Sequence, residues 1–411
     1  MKAGFVQVDI TPSKLVPLAG YADKFRMAEK IRDPIYAKGF AFADESGKKV
    51  AIVITDLLLI SRYLRAEASK RLQELGHPDV LLIPTGTHNH SGPGSYWDNR
   101  VAVKFMGHYQ QWVFDFFADG IAKAAALAIE DLAQAELKWG IANVSGLVEN
   151  RRIAFGPVDD KMPFLVIQRK DKRGLLTALS GHPVVVAEHE AFTMSADYPG
   201  EFAAQMKNYG FDQAALAAGA VGGSTVDFNK ALLSDTTLHL KSLAARLAMA
   251  IASAEISTTT DVLKFYEETG ELPEIALNPF PAGMPKIALK IFAPLLEKLS
   301  VHLKDDVMPA KAVMAGVRIG EGMIFFHPSD LGVGLALDMK QKAQSQGFKY
   351  CMAVGQALDY LGYIHRPQDY QPVSGPGFFM MMTYENLMNF YGHQSSSFFA
   401  PLYDRLLAQL Q

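Results

Sequence analysis

The chain is 411 residues long, with a formal charge of −3, 49% hydrophobic residues, 20% charged residues and one cysteine. This composition excludes a disordered chain, a disulfide-stapled scaffold and a strongly basic nucleic-acid binder. The length suffices for one large layered domain or for two or three ordinary ones.

Strand and helix signals alternate from end to end, predicting an α/β fold of layered mixed β-sheets flanked by helices, α/β/β/α-like. Met1 to Asp9 reads as a strand, because Asp9 interrupts the apolar run that an export signal needs. Tyr36 to Ala43 and Val50 to Thr55 form a hairpin around the polar turn 44–49. A helix from about Ile60 to Leu75 closes at Gly76, and a buried strand from Val80 to Pro84 runs into Thr85-Gly86-Thr87-His88-Asn89-His90-Ser91-Gly92-Pro93-Gly94. Gln111 to Leu132 is the longest helix, with Val113, Phe116, Phe117, Ile121 and Ala125 on its apolar stripe. A second hairpin joins Phe164 to Gln168 with Leu175 to Leu179, followed by a helix from Leu238 to Ala254 and a strand from Val262 to Tyr266.

Residues 270–310 break this rhythm, mixing six prolines with Ile275, Leu277, Phe280, Ile287, Leu289, Ile291, Phe292 and Leu295. They read as an apolar insertion, either a helix pair packed on the surface or a lid over a substrate pocket. Their apolar side chains are candidates for peripheral membrane contact or for an oligomer interface, and the oligomeric state stays open. A hairpin from Val313, a helix from Leu331 to Ser345 and a strand from Tyr350 to Val354 then resume the pattern. Without internal repeat or linker, residues 1–411 are expected to form a single domain. No run of ~20 apolar residues is present, and the lone Cys351 has no partner, so a cytoplasmic protein is expected.

Chemistry-bearing residues gather where apolar strands end. His88 and His90 sit two apart in a loop rich in Gly and Pro; in extended chain their side chains share a face. His182 follows the strand ending at Leu179, Asp330 follows Phe325-Phe326-His327-Pro328-Ser329, and Tyr360 and Tyr363 follow the strand ending at Val354. Each has a purely structural reading too: hydrogen-bonded core histidine, helix N-cap, packed phenol. If the strands lie side by side, the groups converge. Two imidazoles, a carboxylate and a further oxygen suit zinc with a position for water, which is hydrolytic chemistry.

The ordered set Asp9-Ile10-Thr11-Pro12, Leu18-Ala19-Gly20-Tyr21-Ala22, Asp33-Pro34-Ile35-Tyr36-Ala37-Lys38, the loop from Thr87 to Gly94, Asn150-Arg151-Arg152, His182-Pro183, Asp359-Tyr360-Leu361-Gly362-Tyr363 and Tyr384-Glu385 resembles the catalytic domain of the neutral/alkaline, non-lysosomal ceramidase family. The resemblance implies a zinc amidohydrolase that splits an N-acyl sphingoid base, in a layered α/β domain. It implies His88, His182, Asp330 and Tyr363 as Zn2+ ligands, with His90, Arg151 and Tyr384 addressing the substrate. Asp330 stands where the family has Glu, with His327 as its alternative; Pro183-Val184-Val185-Val186 and Gly219-Ala220-Val221-Gly222 depart from the family's pattern. The family's C-terminal β-sandwich domain is not expected within residues 1–411.

The reading is therefore a zinc-dependent amidohydrolase acting on a ceramide-like lipid or related N-acyl amine. Its rivals are a metal-dependent esterase or amidase on a small non-lipid substrate, and a binding protein that keeps the pocket without the chemistry.

Overall fold

A computed structural model describes residues 1–22, 25–153, 155–226, 235–277, 308–370 and 384–411. Most of the expected insertion, residues 278–307, lies outside them, while its first residues, to Glu271, end a strand that runs from Leu263 and pairs with Lys311–Ile319.

Three sheets carry the fold. The first orders its strands Val80–Gly86, Lys49–Thr55, Tyr36–Ala43, Lys2–Asp9 and Ala133–Gln134. The second runs Gln213–Ala218, Arg173–Leu179, Lys161–Gln168, Glu136–Asn143 and Ile256–Thr258. The third runs Leu263–Glu271, Lys311–Ile319, Gly322–Phe326 and Tyr350–Val354. All three predicted hairpins are present and antiparallel.

The sheets face one another across one apolar layer. Phe5, Phe40 and Ile52 of the first sheet meet Leu165 and Leu176 of the second and Val317, Ile324 and Met352 of the third. Helices cover the outer faces. Arg62–Glu74 and Gln111–Glu130 lie on the first sheet through Leu64, Leu72, Phe117 and Ile121; Asp197–Met206 and Thr236–Ala252 lie on the second through Phe202, Leu243 and Leu247; Val333–Ser345 and Ser396–Leu410 lie on the third through Ala336, Leu402 and Leu406. This is the expected layering, and the strands buried on both faces are largely apolar on both, with Lys38 an exception that pairs with the buried Asp56.

Each sheet contains one parallel pair: Lys49–Thr55 with Val80–Gly86, Arg173–Leu179 with Gln213–Ala218, and Gly322–Phe326 with Tyr350–Val354. Backbone hydrogen bonds lace the carboxyl ends of these pairs together. Leu358 N donates to Pro84 O and Gly86 N to Gln356 O, joining the third sheet to the first; Gly355 N donates to Ala218 O, joining it to the second. No helix among the described residues is long and apolar enough to cross a membrane.

Candidate metal centre

The three knotted strand ends deliver the expected side chains to one point. His88 Nε2 lies 3.1 Å from His182 Nε2 and 3.2 Å from Asp330 Oδ1. Ligand atoms of His88, His90 and His182 all lie within 4.8 Å of one another. All four residues are buried.

Backbone carbonyls set the tautomers. His88 Nδ1 is 3.2 Å from Leu58 O, and His182 Nδ1 is 2.8 Å from Ser224 O. A carbonyl only accepts, so each Nδ1 carries the hydrogen and each Nε2 presents a bare lone pair. Three acceptors thus face one another in a dry site, an arrangement that repels unless a positive charge sits among them. Protonating an imidazole is disfavoured, since burial lowers His88 and pushes His182 well below the usual histidine range. A metal cation satisfies the geometry: zinc–nitrogen bonds of ~2.0–2.1 Å at a tetrahedral angle separate two nitrogens by about 3.3 Å.

Asp330 is held from both sides. Gln356 Nε2 donates to its Oδ1 at 2.5 Å and the Tyr360 hydroxyl to its Oδ2 at 2.7 Å. Burial raises its pKa, opposed by His88, Tyr360, Arg151 and Gln356. The helix-cap reading of Asp330 is corrected here: the cap of the helix Val333–Ser345 is Gly332, and Asp330 instead pairs with Tyr363 in a short parallel bridge. His327 faces elsewhere, with Nδ1 2.7 Å from Ser329 Oγ and its ring against Phe399, so Asp330 is the carboxylate that meets His88.

The extended-chain argument for His88 and His90 is also corrected. His88 has φ 63°, in the left-handed region, at a cost of order 1–3 kcal/mol. The two rings still meet edge to face, with centroids 4.8 Å apart. His90 is steered by its surroundings: its backbone O accepts from Arg26 Nη2, its ring lies 5.2 Å from that of Tyr21, and a Cβ on Gly20 would come within 2.5 Å of its Nδ1. Both its ring nitrogens are buried without a hydrogen-bond partner.

The remaining expected residues form a second rank. Arg151 Nη2 donates to the Tyr363 hydroxyl at 3.3 Å, and Glu385 anchors the same guanidinium at 3.1 Å. Tyr384 is half-exposed, its ring 5.7 Å from that of Tyr363. Gln356 and the carbonyls of Leu58 and Ser224 escaped the sequence reading, since neither a loop glutamine nor a backbone oxygen leaves a motif. A cavity of about 830 Å³ lies apart from the histidines, between Arg62, Leu272, Ile275, Met308 and Leu358. Through Leu358 and Asp359 it shares the loop that grips Asp330, and part of its wall belongs to the expected insertion.

Fold and site together define a layered α/β protein with a buried nitrogen and oxygen donor set suited to a divalent cation. A family model described as neutral/alkaline non-lysosomal ceramidase, N-terminal, matches residues 1–208, and the chain belongs to that family. It is 30% identical over 142 residues to the neutral ceramidase of Drosophila pseudoobscura pseudoobscura, covering 33% of this chain and 20% of that relative. Over 137 residues it is 30% identical to neutral ceramidase A of Dictyostelium discoideum, covering 31% of this chain and 19% of that protein. The matched stretches thus span about a fifth of these relatives. The fold matches the crystal structure of neutral ceramidase from Pseudomonas aeruginosa with TM-score 0.80 at 17% identity, covering 100% of this chain and 74% of that one. A ceramidase complexed with C2 matches with TM-score 0.78 at 16% identity, with the same coverage.

Proposed function

We propose that this chain is a zinc-dependent amidohydrolase that cleaves the amide of a ceramide-like N-acyl compound. The observation that carries the reading is the meeting of His88 Nε2, His182 Nε2 and Asp330 Oδ1 as lone pairs in a buried site. His88, His182 and Asp330 would hold the ion, with Tyr363 beside Asp330 as the further oxygen. When bound, zinc supplies a Lewis acid and a water acidic enough to attack at neutral pH.

The protein's own groups do the rest. His90 is neutral at pH 7 because burial depresses its pKa strongly, so it can donate one ring N–H to a developing oxyanion while its other nitrogen accepts a proton. Arg151, held by Glu385, places a fixed positive charge toward the substrate's polar end, and Tyr384 offers a hydroxyl at the half-open edge. Family membership supports the amide as the bond cleaved and a lipid as the substrate.

The test couples metal content to turnover. The purified protein is expected to hold one zinc, and His88→Ala to lose both zinc and hydrolysis of N-acylsphingosines. A lipid site gains up to ~0.8 kcal/mol per buried CH₂, about fourfold in kcat/KM per methylene along an acyl series. Full hydrolysis by a zinc-free protein would overturn the metal reading; a flat acyl series, or preference for esters, would overturn the substrate.

A further inference from the structure

One short stretch, Ser195 to Tyr198, grips the loops of both metal-facing histidines. Asn89, between His88 and His90, donates from Nδ2 to Ser195 O at 2.6 Å, and Ser195 N donates to Ser91 O at 3.1 Å. The same stretch brackets His182. The Tyr198 hydroxyl donates to Gly181 O at 2.6 Å, and Asp197 Oδ2 accepts from Val186 N at 2.8 Å. The chain is thus pinned just before His182 and again in the short helix that follows it. Asn89, Ser195, Asp197 and Tyr198 are all buried.

Asp197 is a costly residue for the fold alone. Its φ of 53° lies in the left-handed region, and its carboxylate is buried, its other oxygen accepting from Tyr198 N. Backbone strain of this kind persists where geometry is functional. The orientation of the His182 ring is already set by Ser224 O, so the stretch supplies something else: the place of the backbone that carries the ring. Because it holds the His88 loop as well, it fixes the distance between the two loops, and with it the 3.1 Å between the Nε2 atoms. We propose that Ser195–Tyr198 is a clamp, in which Tyr198 and Asp197 are positioning residues that hold His182 against His88 for the cation. This rests on the metal reading above and adds to it residues that touch neither ion nor substrate.

Zinc affinity of the full chain, read by competition with a chelator, tests this together with the visible absorption of the protein loaded with Co2+. Tyr198→Phe keeps the ring and removes the hydroxyl; it is expected to bind zinc about 10- to 100-fold more weakly and to alter the cobalt bands. Asp197→Asn, which leaves one acceptor for two N–H groups, is expected to weaken zinc in the same direction with no lower metal-free melting temperature above pH ~7. Phe202→Leu, in the core under the same helix, serves as the control: it is expected to lower the melting temperature and leave zinc affinity within about threefold. No zinc or cobalt bound by the unaltered protein would overturn the metal reading and the clamp with it. Metal bound with equal affinity and identical cobalt bands in the unaltered protein, Tyr198→Phe and Asp197→Asn would overturn the clamp alone, as would a loss of affinity in Phe202→Leu as large as in those two.

Discussion

Replacing Tyr360 by Phe removes a single oxygen from the wall that grips Asp330. The ring keeps its edge contact with Trp97 and its tilted contact with Phe105, at centroid distances of 5.9 and 6.5 Å, so little packing changes. What disappears is the 2.7 Å hydrogen bond to Asp330 Oδ2. A hydrogen bond to a charged group contributes about 1.5–3 kcal/mol, which at about 1.4 kcal/mol per decade is roughly 10- to 150-fold in a binding constant. Outer residues that orient metal ligands act on the same scale, about 10- to 100-fold. Competition against a chromogenic zinc chelator should therefore show Tyr360→Phe binding zinc more weakly by that factor, with turnover recovering as free zinc is raised. Affinity within about threefold of the unaltered protein would show that Asp330 is not among the groups gripping the ion.

Asp330→Glu, which restores the family's residue, inserts a methylene where both carboxylate oxygens are engaged and the side chain is fully enclosed; it should cost about 1–3 kcal/mol in a denaturant melt and lower zinc affinity. Gly20→Ala, at φ 111°, drives a Cβ into the His90 ring; turnover should fall at least tenfold while zinc content, measured by mass spectrometry, stays unchanged. Asp197 is buried with its pKa pushed up to about 7 by burial, although it accepts from the N–H groups of Val186 and Tyr198. Its folded-state pKa lies above the unfolded value, so its contribution is harmless below pH ~4 and destabilises increasingly until pH ~7. Asp197→Asn should match the unaltered protein near pH 4 and exceed it above pH 7 by up to about 4 kcal/mol in urea unfolding; a difference independent of pH would refute this.

Much of this architecture is legible in the chain. The hairpin of Tyr36–Ala43 with Lys49–Thr55 announces itself through β-rich runs around a glycine turn, and the helix Gln111–Glu130 through its apolar stripe. Edges are harder. The strand Leu263–Glu271 outruns its expected end at Tyr266 because it is an edge strand whose Glu267 pairs with Arg65 and Glu268 with Arg405, so polar residues mask its strand character. At Asp330 a local cap signal lost to tertiary pairing with Tyr363. The proximity of His88 and His182 follows from motif and strand ends, whereas Gln356, with φ 54°, reaches Asp330 only through a backbone conformation that its sequence does not advertise.

The donors at positions 88, 182 and 330 belong to loops from three separate sheets, so no sheet folded alone contains more than one of the three. An ion held by these three groups would find its complete donor set only after the layers have docked. Its dissociation becomes a gauge of whether that docking holds, and a chelator should loosen the seams between sheets before it melts any one of them.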